Sequence, residues 1–283
     1  MRRTKLVFRL FSVAVATAAL GACGLFSGPQ KTTPAQEAAA AAHNAPPNPL
    51  ASLHAAPPDQ VAIYTSLGTA YLQEGHPRAA IRELKQALTQ PGKHGDAYNV
   101  LGLAYQSLGQ ADLAAEAFRK ALDEEPKNPE FLNNYGAFLL NQGKYANAVA
   151  ILEKATQDPL YSTPQYAWTN LAAAYRGLHQ SQQALLALQK ALYFKPGYPP
   201  ALLLWAEMEY QDRAFSEAYG HLQEILAQEP DNAEALLLAG RISWEQGQPA
   251  QARSYWERCV NASPYSDAGK AAQADLLRYG NPK

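Results

Sequence analysis

Tyr64-Thr65-Ser66-Leu67-Gly68-Thr69-Ala70-Tyr71 returns as Tyr98-Asn99-Val100-Leu101-Gly102-Leu103-Ala104-Tyr105, and again as Leu132-Asn133-Asn134-Tyr135-Gly136-Ala137-Phe138-Leu139. Gly68, Gly102 and Gly136 are 34 residues apart. Ala172 follows 36 residues later, and Ala206 and Gly240 each come 34 further on. The fourth copy keeps Trp168, Leu171, Ala172 and Tyr175. Two weaker copies carry Leu202-Trp205-Ala206-Glu209 and Leu236-Ala239-Gly240-Ser243. Spacings of three and four put each set on one helical stripe, with the small residue in its middle. Self-similarity at a fixed period of this size is the mark of a repeat architecture.

A second stripe begins 12 residues after each small residue: Ala80-Leu84-Ala87, Ala114-Phe118-Ala121, Ala148-Leu152-Ala155, Ala184-Leu188-Ala191, Ala218-Leu222-Ile225 and Ala252-Trp256-Cys259. Gly75, Gly109, Gly143 and Gly247 lie between the stripes and break each unit into a helical hairpin. Pro126, Pro196, Pro230 and Pro264 close units, with Pro91 and Pro159 one residue early. Small residues let paired helices approach, and large ones fill the gaps between units.

This pattern resembles the tetratricopeptide repeat. The resemblance implies an all-α superhelical solenoid of six helix-turn-helix repeats, at residues 61–94, 95–128, 129–164, 165–198, 199–232 and 233–266. Residues 267–283 follow, where Ala268, Ala271, Ala272, Leu276 and Leu277 support a C-terminal capping helix. Stacked repeats need such an end cap. Cys259 stands where four other repeats have Ala and one has Ile, so it reads as a buried small side chain.

Away from the repeats the chain changes character. Of 283 residues, 24 are Lys or Arg and 25 Asp or Glu, a net charge of -1 that disfavours broad capture of nucleic acid. Arg2, Arg3, Lys5 and Arg9 precede a short apolar stretch, Leu10–Leu20, that is too short to span a bilayer. Residues 1–22 read as a secretory signal. Leu20-Gly21-Ala22-Cys23 resembles the bacterial lipobox, which implies cleavage before Cys23 and lipidation of its sulfur. Ordinary cleavage after Ala16-Thr17-Ala18 is the alternative. Gly24 is not the Asp that signals inner-membrane retention in bacterial lipoproteins, so the resemblance implies an outer-membrane anchor facing the periplasm. Losing residues 1–22 moves the formal charge from -1 to -5, because four cations and no acids leave. Residues 23–60 read as the lipidated cysteine and a flexible tether: seven of the 20 prolines lie between Pro29 and Pro58, and few large apolar groups accompany them.

No catalytic motif is present in the sequence. Its six histidines do not pair with Cys, Asp or Glu at metal spacing, and there is no phosphate loop or nucleophile elbow. The expectation is a binding protein, not an enzyme, without metal, small-molecule substrate or cofactor beyond the lipid on Cys23. In tetratricopeptide folds the stripe beside the core stripe of each first helix lines the concave groove. Here that stripe supplies Thr69, Asn99, Leu103, Asn133, Leu140, Thr169 and Arg176, with Asn134 and Asn170 next to it. Amide side chains offer donors and acceptors that can grip an extended peptide backbone. Chaperone-binding tetratricopeptide domains clamp a free carboxylate with a ring of cations, which Arg176 and Arg241 do not rebuild.

The third and fourth repeats resemble a narrower family. Leu132-Asn133-Asn134-Tyr135-Gly136-Ala137-Phe138-Leu139, Tyr145-x-x-Ala148 and Ala155-x-x-Asp158-x-Leu160-Tyr161 are similar to stretches of the type IV pilus biogenesis and stability lipoproteins, the PilW/PilF family. Leu236–Ile242 is similar to the sixth repeat of that family. The long Ala/Pro tether and the extra C-terminal helix depart from it. The resemblance implies a pilotin-like lipoprotein that anchors at the outer membrane, binds secretin subunits and aids secretin localisation and multimer assembly for twitching. The alternative is a general periplasmic tetratricopeptide lipoprotein that organises peptidoglycan enzymes.

Overall fold

The structure is a computed structural model that describes residues 59–279. The predicted Cys23 lipid site, the signal and the tether as far as residue 58 lie outside the described residues. The described residues form thirteen α-helices and no strands. They pair as α1 (Gln60–Gln73) with α2 (Pro77–Ala87), α3 (Gly95–Ser107) with α4 (Ala111–Glu124), and α5 (Pro129–Asn141) with α6 (Tyr145–Ala155). Next come α7 (Pro164–Gly177) with α8 (Ser181–Phe194), α9 (Pro199–Gln211) with α10 (Phe215–Gln228), and α11 (Ala233–Glu245) with α12 (Pro249–Ala262). The last helix, α13 (Asp267–Tyr279), closes the stack.

The two sequence stripes meet inside each pair. A Cβ added to Gly102 would fall 2.7 Å from the Phe118 ring, and one added to Gly136 would fall 2.5 Å from Leu152. The small residue therefore sets the distance between paired helices, and the large residue 16 positions later fills the space it leaves. Leu84, Phe118, Leu152, Leu188, Leu222 and Trp256 are all fully buried. Cys259 is buried as well, and its Sγ donates to the Ala233 carbonyl at 3.2 Å. Burial pushes its thiol up to about 11, so it behaves as the small core side chain its position implies.

Helix ends follow local chemistry. Proline occupies the first turn of α2, α5, α7, α9 and α12, where its missing N–H costs nothing. Asn128 Oδ1 accepts from the N–H groups of Glu130 and Phe131 at 3.1 and 3.3 Å, capping α5. Within each pair the turn passes through the left-handed region. Glycine takes that position at 75, 109, 143 and 247, while His179 and Arg213 occupy it with φ of 60°. Non-glycine residues pay about 1–2 kcal/mol there.

The 36-residue step is absorbed between α6 and α7. The Leu160 N–H donates to Asp158 Oδ1 at 2.8 Å, and Tyr161 packs back on Leu132, Ala155 and Ala167. Burial raises the Tyr161 phenol to about 12. At the other end, Ala268 and Ala272 of α13 cover Leu236, Trp256 and Cys259, and Tyr279 lies 4.6 Å from Trp244 between ring centroids. Repeat six thus uses its bulky first-helix residues against the cap.

Two outcomes are expected. His179→Gly removes the left-handed strain and raises unfolding stability by about 1 kcal/mol in urea titrations; an unchanged or lower midpoint contradicts the strain argument. Between pH 9 and pH 11 the unfolded chain releases the Cys259 proton while the folded chain keeps it, so stability falls as pH rises through that window. Cys259→Ala loses about 2 kcal/mol less across the same window, read by denaturation at each pH.

Candidate functional site: the inner face of the stack

Successive first helices touch one another all along the chain, from α1 on α3 to α11 on α13. Successive second helices keep their backbones farther apart and meet through long side chains, as where the hydroxyls of Tyr219 on α10 and Tyr255 on α12 lie 2.6 Å apart. A stack closed on one side and splayed on the other curves, with the first helices on its inner side. The residues read from sequence as groove-lining are all carried by these inner helices.

Their side chains divide into two layers. Asn99, Asn133 and Thr169 are only 3%, 8% and 7% exposed and sit beneath the surface. Thr69, Leu103, Asn134, Leu140, Asn170 and Arg176 are half-buried and form the surface itself. The layers are linked across repeats. Asn134 Nδ2 donates to Asn99 Oδ1 at 3.1 Å, and Asn170 Nδ2 donates to Asn133 Oδ1 at 2.9 Å. The amides that the sequence offered to a ligand are thus first used by neighbouring repeats. Asn134 and Asn170 each keep an oxygen free of these bonds as an acceptor. The hydroxyls turn inward: Thr69 Oγ1 donates to the Thr65 carbonyl at 2.9 Å, and Thr169 Oγ1 to the Gln165 carbonyl at 2.8 Å.

The two arginines of the inner face are held by acids of the next helix. Arg176 pairs with Glu207 on α9, and Arg241 Nε donates to Asp275 Oδ2 on α13 at 2.8 Å. Each carries a partner already and is not presented as an open anion site. These pairs, and the amide clasps, escape a reading by single-helix phase, because each joins residues on different helices. Their one sequence signal is spacing: the amide pairs are 35 and 37 residues apart and the ion pairs 31 and 34, all close to one repeat.

Titratable chemistry on the stack is sparse. Among the described residues no group of three or more His, Cys, Asp or Glu could hold a metal ion. Burial raises the Glu209 carboxyl, although His221 Nε2 lies 3.5 Å away and works in the opposite sense. No helix among the described residues is long and apolar enough to cross a membrane. The inner face offers alternating apolar and amide side chains on rigid helices, which suits recognition of another chain's backbone.

The amide clasp has a measurable weight. A double-mutant cycle on Asn133→Ala and Asn170→Ala should give a coupling of about 1 kcal/mol in unfolding free energy. A coupling near zero means the two amides stand independently.

Two tetratricopeptide repeat models match the chain, one over residues 65–129 and 99–166 and the other over residues 209–276. The type IV pilus assembly protein PilF of Pseudomonas aeruginosa is 32% identical over 180 residues, which cover 64% of this chain and 71% of PilF. The crystal structure of PilW, a widely conserved type IV pilus biogenesis factor, is similar with a TM-score of 0.68 at 28% identity, covering 75% of this chain and 98% of that one. The solved structure of Pseudomonas aeruginosa PilF gives a TM-score of 0.64 at 30% identity, covering 77% of this chain and 98% of that one.

Proposed function

The chain belongs to the family of tetratricopeptide-repeat type IV pilus assembly proteins that includes PilF, and from that membership we propose that it is a lipid-anchored assembly factor for the pilus secretin. In this reading Cys23 carries the lipid, the solenoid faces the periplasm, and the inner face takes an extended segment of the secretin subunit. Family membership is the observation that carries the reading. The inner face supports it, with half-buried Leu103, Leu140, Asn134 and Asn170 carried on its helices. The lipobox-like Leu20–Cys23 supports the anchor.

The physical logic is a transfer of address. A subunit bound to a membrane-tethered partner is held within the tether's reach of that membrane, so its effective concentration there rises without new contacts. The tether has the composition of a flexible linker, so capture does not demand one orientation of the stack. Assembly of a ring from subunits gains from such local concentration at every step.

Deletion of the gene should deplete secretin multimers in the outer-membrane fraction, read by non-denaturing gels, and abolish twitching. Complementation with Cys23→Ser should leave the protein in the soluble periplasmic fraction and fail to restore multimers at the outer membrane. Multimers that survive deletion unchanged would sink the secretin assignment and favour a scaffold for peptidoglycan enzymes.

A further inference from the structure

The outer side of the stack carries a cleft that the repeat pattern does not require. The second helix of repeat three, α6, has 11 residues, whereas the second helix of repeat four, α8, has 14. Ala155 ends α6; its counterpart Ala191, 36 residues on, is followed by three more helical residues. Beyond α6 the chain turns at Asp158 and anchors Tyr161, so it does not run alongside the end of α8. The result is an open cleft of about 650 Å³ on the splayed side of the stack. Trp168 and Tyr175 of α7 form its floor, Gln157 borders one side, and Leu186, Lys190 and Tyr193 of α8 form the other. Leu186 is 57% exposed and Tyr193 77% exposed.

Charge sets this region apart. Residues 139–206 carry five cations, Lys144, Lys154, Arg176, Lys190 and Lys195, against two acids, Glu153 and Asp158; with Arg176 paired to Glu207 on the inner face, four cations stand against two acids. Residues 95–138 carry three cations against seven acids, and residues 207–283 carry seven against twelve. The cleft therefore lies in a positive band between two acidic ones. Its one acidic lining residue, Glu153, accepts from the Tyr175 hydroxyl at 2.7 Å. Lys190, its one basic lining residue, is exposed.

We propose that this cleft is a second protein-docking site, which takes a short segment of a partner with an aromatic or Leu anchor flanked by Asp or Glu. The size fits a segment, not a globular face: a cleft of this volume is in the range of small-ligand pockets, while a stable protein interface needs about 800 Å² from each partner. Trp and Tyr side chains with unoccupied faces are the usual anchors of such sites. Lys190 and the positive band supply complementarity to acidic flanks. A lipid surface fits less well, because it takes a protruding apolar face, and here the aromatic floor is recessed between two helices. The proposal is independent of how the inner face is used.

The test is selection of a random phage-displayed peptide library on the full-length protein, followed by fluorescence anisotropy with the consensus peptide labelled with fluorescein. The expected consensus has one aromatic or Leu position within Asp and Glu. Leu186→Ser and Tyr193→Ser each weaken its binding by about tenfold or more, and Lys190→Glu weakens it to a similar degree. All three positions are solvent-exposed, so thermal midpoints stay within a degree or two of the parent protein. A consensus without acids overturns the proposal, as does failure to enrich any consensus. Binding that ignores these substitutions but falls with Asn134→Ala assigns the peptide to the inner face and also overturns it. Co-sedimentation with phosphatidylglycerol vesicles that is lost in Leu186→Ser and Tyr193→Ser replaces the peptide by a membrane surface.

Discussion

The closest approach of two helices decides this molecule. In each repeat a residue with little or no side chain, Gly68, Gly102, Gly136, Ala172, Ala206 or Gly240, lies against a large residue 16 positions later. The pair fixes how near the helices come, and the left-handed turn fixes how they return. Everything else is stacked on that unit. Because each unit contacts only its neighbours, cohesion is a chain of local agreements, not one central core. The capping helix α13 matters for that reason: it gives Trp256 and Cys259 the neighbour that an interior repeat would have supplied.

Polar side chains make a second set of agreements between units. Asn99 with Asn134 and Asn133 with Asn170 couple repeats two, three and four. Arg176 with Glu207 joins repeats four and five, and Arg241 with Asp275 ties repeat six to the capping helix. Buried amides that satisfy one another hold register between repeats more tightly than apolar contact, which tolerates sliding. The middle of the solenoid is the part clasped by these amides, and it is where Asn134 and Asn170 keep their free oxygens.

The fold was legible because its information is local. Gly68, Gly102 and Gly136 recur in one setting, and the period survives even where Ala172 replaces glycine. The core role of Cys259 could be read from what stands at its position in other repeats. Phase also puts Thr69, Asn99, Asn133 and Thr169 on the first helix of each pair, where the structure has them. What phase could not give was depth. Asn99 and Asn134 look alike in sequence, yet one lies beneath the surface and the other on it, because the rotation between adjacent first helices decides which is covered. The turns at His179 and Arg213 were hidden for a different reason: the pair geometry imposes the left-handed conformation whatever residue is there. The outer cleft depends on where α6 stops, and helix ends are the least legible feature of a sequence.

Closer backbone packing among first helices than among second helices makes the stack a lever with its fulcrum on the inner side. Any flexing that straightens the solenoid draws the outer helices together and narrows the gap between α6 and α8. Any wedge set into that gap increases the bend and tightens the inner face. The two sides then share one curvature, so a ligand that changed that curvature from either side would change affinity at the other by the same free energy.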